Sequence, residues 1–282
     1  MRPLQVIRIA VRKLAKRPIF TATTVLCVAL GIGAATSIFS VINALLLRPT
    51  PVHELERVTF FMAMRQGVEP FGVSAIEIQA YLDRSRSFES LGIAATLDPH
   101  SLDSGDGELP ERVETSEIAR SYLETVGVEP YLGRSFTGEE DRDGGPPVVL
   151  LSYRLWNRRF GRDQGVIGRT LRVEGVQHTV VGVLPEGFDL PRRTELWLPM
   201  RFDPERMSEE ERANHSNMMV GRLADGVSLE RAEGDLVAIA EALERESPLT
   251  NSGWSVHIIP LRDFLLGDFQ GRIRRMLLVL GA

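Results

Sequence analysis

Residues 20–47 are twenty-eight consecutive residues without a charge. At about 1.5 Å per residue such a run reaches about 40 Å as a helix, against a hydrocarbon core of about 30 Å, which predicts a membrane-spanning helix rather than a buried helix of a soluble protein. The flanks orient it. Arg2, Arg8, Arg12, Lys13, Lys16 and Arg17 precede the run, and the first acidic residue of the chain is Glu54. Because basic flanks stay on the cytoplasmic side, residues 1–19 are expected inside and everything after Arg48 outside. A cleaved signal peptide shares the basic start, but its apolar part is typically about 7–15 residues. Here a cleavage site at Ala34, Ala35 and Ser37 would leave a mostly apolar stretch of ten residues, 38–47, behind it. Leu4, Ile7, Val11 and Leu14 fall at helical spacing within the basic segment, which suits an amphipathic helix lying on the anionic inner leaflet of the lipid bilayer. A plain basic flank explains the same charges.

Charge is unevenly spread. Of 33 basic and 38 acidic residues, six basic ones lie before the run, so the remainder carries 27 against 38, about −11. An acidic surface repels a polyanion, and no nucleic acid partner is expected. The single cysteine, Cys27, lies inside the apolar run, so no disulfide within the chain can hold the exported part together and it must rely on its core.

After the linker at Pro49 and Pro51, residues 57–62 read as a strand. Ser74 and Glu77 form a capping-box pattern opening a helix through about Asp83. Strands are predicted at 91–97 and 112–118, then a short helix from about Ala119 that Gly127 ends. Beyond Gly144-Gly145-Pro146-Pro147 the pattern becomes richer in strands. A strand at 148–151 precedes a helix capped by Ser152 and stopped by Gly161, and residues 170–173 and 176–183 flank Glu174-Gly175 as a hairpin. A strand at 196–198 closes this part, and 209–212 is a solvated acidic helix. A strand at 218–223, a helix capped by Ser228 and a strand at 254–258 then resume the strand-and-helix alternation of residues 57–127. The fold class is α+β, one exported unit at 48–275 with halves at about 57–143 and 214–263, interrupted by a β-rich subdomain at about 146–200. An inserted part with close ends is expected to be removable without unfolding the rest. Residues 276–282 are apolar and too few to cross a membrane. They are either a packed tail or the start of a second membrane helix, the reading favoured here, in which case the chain is the front of a longer protein.

Catalytic, cofactor-binding and metal constellations are not expected. The five histidines, 53, 100, 178, 215 and 257, are scattered singly. Twelve-residue counting from Asp141 ends on Ser152, where a calcium loop needs a glutamate, so Asp141 and Asp143 read as an acidic turn. Both lysines precede the apolar run, which leaves no phosphate-binding Gly-x-x-x-x-Gly-Lys loop. Trp156, Trp197 and Trp254 sit among apolar neighbours and read as core. Ala29, Gly33 and Ser37, at four-residue spacing, form a small-residue face for close approach of another membrane helix.

The residues also carry a resemblance. Arg12-Lys13-Leu14 with Arg17-Pro18-Ile19-Phe20, then residues 29–34 and 38–49, resemble the first membrane helix of bacterial FtsX/MacB-type permeases, in particular the duplicated branch without its own ATPase. Residues 152–161, 166–171, 179–185 and 195–199 are similar to the MacB-like periplasmic core domain. The resemblance implies a porter-like α+β unit, a separate ABC ATPase subunit as partner, and further permease membrane helices or a second permease copy. It also implies an inner-membrane location and a non-catalytic role in ABC-type export or mechanotransmission, as a subunit or a truncated fragment. A membrane-anchored extracytoplasmic sensor or binding module is the alternative.

Overall fold

The computed structural model describes residues 51–66, 68–103, 105, 107, 109–191 and 193–265, together with 19, 21–23, 25–33 and 36. The chain divides into two compact units, residues 1–50 and 51–282. In the first, every described residue is helical. Among the described residues no helix is long and apolar enough to cross a membrane. Much of the 20–47 run lies outside the described residues, as do the basic segment 1–18 and the apolar end 276–282.

The second unit is built on one sheet of thirteen strands. In chain order it runs β1 (Val58–Arg65), β2 (Val68–Phe71), α1 (Ala75–Arg84), β3 (Phe88–Thr96), β4 (His100–Asp103), β5 (Glu111–Val113), β6 (Thr115–Ile118) and α2 (Arg120–Val126). Then follow β7 (Leu132–Gly133), β8 (Val148–Leu151), α3 (Tyr153–Phe160), β9 (Thr170–Val173), β10 (Val176–Val183) and β11 (Leu196–Pro199). Next come α4 (Glu209–Ala213), β12 (Met218–Leu223), α5 (Leu229–Glu246), α6 (Pro248–Asn251) and β13 (Trp254–Pro260). The strand order is β13-β1-β12-β3-β6-β11-β8-β10-β9-β4-β5, with β2 beside β1 and β7 beside β10.

Period-two alternation decides which core each side chain joins. On β1, Phe61 and Ala63 enter a cluster with Ile78 and Tyr81 of α1 and Leu236 and Ile239 of α5. Val58 and Phe60 point to the opposite face, where Tyr122, Leu123 and Val126 of α2 meet them. With both faces covered, β1 reads as a nearly continuous apolar run. β8 does the same farther along the sheet. Val148 and Leu150 join the α2 cluster, whereas Val149 and Leu151 join a third cluster with Leu155, Trp156 and Phe160 of α3.

The 146–200 segment is stitched into the sheet by β11, which runs parallel to β6 and pairs Trp197 with Ser116. Trp197, Leu184, Phe188 and Leu190 share one apolar cluster with Val58, Val220 and Leu261 from either side of the segment. At the far edge the hairpin of β4 and β5 pairs with β9 and contributes Leu102 and Val113 to the third cluster.

Local signals behave as their chemistry requires. Ser74 accepts from Glu77 N while the Glu77 carboxylate takes Ser74 N at 2.8 Å, closing the capping box of α1. Ser152 and Ser228 cap α3 and α5. Glu174 and Gly175 both have positive φ, 47° and 81°, the backbone of a tight hairpin turn whose twist matches its strands. The N-terminus of α2 has no side-chain cap from Ala119. Instead Asp141 Oδ2 accepts from Arg120 N at 2.8 Å, so the acidic turn serves a helix end twenty-one residues away.

Glu140, one residue before it, sets an acid sensitivity. Both its oxygens take the Arg134 guanidinium, at 2.8 and 2.6 Å, and Oε2 also accepts from Thr137 N at 2.7 Å. The Arg134 hydrogen bonds hold the carboxyl below its usual range. A depressed folded pKa contributes stability that is present above the unfolded value, about 4.3, and is lost as pH falls through the folded one. Glu140→Gln is therefore expected to lower stability by about 1 kcal/mol at pH 7, Arg134 being half exposed, and by much less at pH 3. Urea unfolding of the full chain in detergent at both pH values, followed by tryptophan fluorescence, measures the difference. An equal penalty at both would show that the pair contributes shape rather than charge.

Candidate functional site

The first and last described segments of the 51–282 unit meet at one corner. The leading segment, residues 51–57, runs into β1; the trailing segment, residues 261–265, turns helical directly after β13. β1 and β13 are antiparallel, with Thr59 opposite Pro260, which puts the start of one beside the end of the other. Leu261 is buried in the α2 cluster together with Val52, and Leu55, Phe264 and Leu265 pack against it. The ring of Phe264 stacks on Phe60 at 3.8 Å.

Two arginines hold the leading segment. Arg57 reaches Glu54 at 3.0 Å, Glu89 at 2.8 Å, Asp225 at 2.9 Å and Leu223 O at 2.7 Å, linking the segment to β3 and to the turn after β12. Asp225 is almost fully exposed, and surface pairs of this kind contribute little singly. Arg222 differs in being buried, 6% exposed, inside an apolar strand. Its Nε donates to Thr125 O at 3.0 Å and its Nη2 to His53 O at 2.9 Å, while Nη1 lies 3.6 Å from Glu54. Thr125 O lies in the last turn of α2, where carbonyls lack a helical partner, so the guanidinium satisfies an orphan acceptor and the helix dipole together. Between the arginines Glu54 adopts φ 46°, ψ 55°, a left-handed backbone uncommon outside glycine.

The residues singled out from the sequence fall elsewhere. Ala29 and Gly33 lie in the described helical stretch of the first unit and are exposed; Ser37 lies outside the described residues. Trp156 and Trp197 are core residues, Trp197 donating its Nε1 to Leu190 O at 2.8 Å. Trp254 stacks at 3.7 Å on His215, whose Nε2 is 3.1 Å from the buried Glu77 carboxylate. Periodicity does not mark Arg222. The one available signal is a lone cation within the apolar strand 218–223, which only an acceptor set brought from distant segments can satisfy.

The profile of the MacB-like periplasmic core domain matches residues 21–239. The chain belongs to that family. No curated protein matches it in sequence. Among solved structures, a domain of a protein described as a permease from Porphyromonas gingivalis is similar at 18% identity, covering 74% of this chain and 92% of that one with a TM-score of 0.55. The periplasmic region of MacB from Actinobacillus actinomycetemcomitans is similar at 15% identity, 78% and 94% coverage and a TM-score of 0.54. The extracellular domain of the noncanonic ABC-type transporter YknZ from Gram-positive bacteria is similar at 14% identity, 71% and 99% coverage and a TM-score of 0.51. These likenesses show a shared fold.

Proposed function

We propose that this MacB-like chain is a non-catalytic permease subunit of an ABC-type export or mechanotransmission system. Residues 20–47 anchor it in the inner membrane, residues 1–19 face the cytoplasm, and the 51–265 unit lies outside as a domain moved by a separate cytoplasmic ATPase. The meeting of the leading and trailing segments at one corner carries this reading, because a domain attached at one point can be driven as a lever. The uncharged run and its wholly basic flank support the orientation. The exposed Ala29 and Gly33 offer a surface for a second permease copy or other membrane helices.

Purifying the full chain with each ABC ATPase encoded beside it, or elsewhere in its genome, tests the proposal. One ATPase is expected to co-purify and to change its hydrolysis rate several-fold on binding. If none binds, the coupling role fails. Alkaline phosphatase fused after Leu223 is expected to be active and the same enzyme before Phe20 inactive; the reverse pattern would overturn the orientation.

A further inference from the structure

We infer that Arg222 is the coupling element through which a displacement of the leading segment reaches the 146–200 part of the domain. This rests on the lever reading above and names its internal linkage. Arg222 stands on an interior strand of the sheet, between β1 and β3, and grips two backbone carbonyls from distant segments, His53 O and Thr125 O. Because the guanidinium fork is planar and rigid, it holds both carbonyls only at one relative position, so shifting His53 shifts the end of α2 or breaks the grip. The space around it has no slack. A side-chain carbon added at Gly127, which has φ 66°, would stand 2.7 Å from His53 Cβ and 2.8 Å from Arg222 Nη2.

From α2 the chain goes straight to the other half of the sheet. Val128 N donates to Leu123 O at 2.9 Å, and Tyr131 N reaches Val183 O at 2.8 Å. Leu132 and Gly133 then pair with Val183 and Gly182, and Arg134 N donates to Val181 O at 2.9 Å. The path from clamp to β10 is therefore fewer than ten residues of backbone, hydrogen-bonded at Val128 and again from Tyr131 onward. Glu54 lies at the convergence of the two arginines. Its left-handed backbone is held there, and a strained residue of this kind relaxes to another conformation when its restraints slip. Other routes exist, since Gly187 passes beside Pro51, where a side-chain carbon would meet the proline ring at 3.8 Å, and Val52 shares the α2 cluster with Leu184 and Phe188. Only the first route needs Arg222.

Hydrogen exchange on the full chain in lipid nanodiscs separates them. Pro51→Gly loosens the leading segment without touching the clamp. With Arg222 present it is expected to speed amide exchange at 128–134 and 180–183 by about tenfold, while amides of α5 at 236–243 stay unchanged. In the Arg222→Lys and Arg222→Met backgrounds the same substitution is expected to change the 128–134 rates by less than about twofold. Equal acceleration with and without the clamp would assign the coupling to the Pro51 and Val52 contacts and overturn the inference, as would no response with Arg222 in place. Arg222→Lys keeps the charge and loses the fork, so the comparison survives if Arg222→Met fails to fold. No ATPase enters the measurement, so a chain that binds none would sink the function proposed above and leave this result standing.

Discussion

Replacing Trp197 by alanine is expected to destabilise the domain by about 3–5 kcal/mol and to lower its thermal midpoint by about 10 °C. The side chain is fully buried, with the ring of Phe188 5.7 Å away. Its loss leaves a cavity where two parts of the sheet meet, and Leu190 O loses the indole donor that satisfies it. The cluster around it draws on Val58, Val148, Val220 and Leu261, segments with little freedom to collapse inward because each is fixed in the sheet or at its edge. Thermal and urea unfolding of the full chain in detergent give the numbers. A loss under about 1 kcal/mol would mean that the core repacks around the gap and that Trp197 is no keystone.

Excising residues 148–199 and joining the ends with a flexible linker is expected to abolish cooperative unfolding. Four strands would go, and β6 would lose β11 as a neighbour, leaving an unpaired edge. Val58, Phe60 and Val220 would lose the apolar partners supplied by Val148, Leu150, Leu184 and Trp197. On the other face, Leu102 and Val113 of the edge hairpin would have nothing to pack on. The domain division read from the sequence pattern makes the segment removable; the shared clusters argue that it is part of the core. Thermal unfolding followed by far-UV circular dichroism decides between them, a sharp transition in the excised chain restoring the view of a separable insertion.

Ser74 with Glu77, Ser152, Ser228 and the Glu174-Gly175 turn are legible in the sequence because a cap or a tight turn is settled within four residues. The strands at 58–65, 148–151 and 218–223 are legible because apolar runs of that length bounded by turn residues have few other uses. Pairing is not legible. That β11 lies beside β6, that β7 adds to β10, and that residues 100–103 and 111–113 close the far edge depend on contacts between distant residues. The two-residue β7 is too short to carry a period. Asp141 illustrates the limit for a single residue: composition marks an acidic turn, but only the folded chain brings it to the bare N-terminus of α2. Arg222 is visible as an oddity, and its use is not, because both acceptors are backbone atoms that no residue type announces.

The antiparallel ladder between β1 and β13 gives the corner a directional strength. Its hydrogen bonds run perpendicular to the strands, and Thr59 opposite Pro260 is the first rung. Drawing the leading and trailing segments apart sideways would load that rung alone, then the next, opening the ladder like a zip at low force. Pushing or pulling both segments together along the strand axis leaves every rung unloaded and shifts the domain as one piece. Under the function proposed above, strokes in which both segments move in phase leave the ladder whole, and a stroke that splays them would open it from its end.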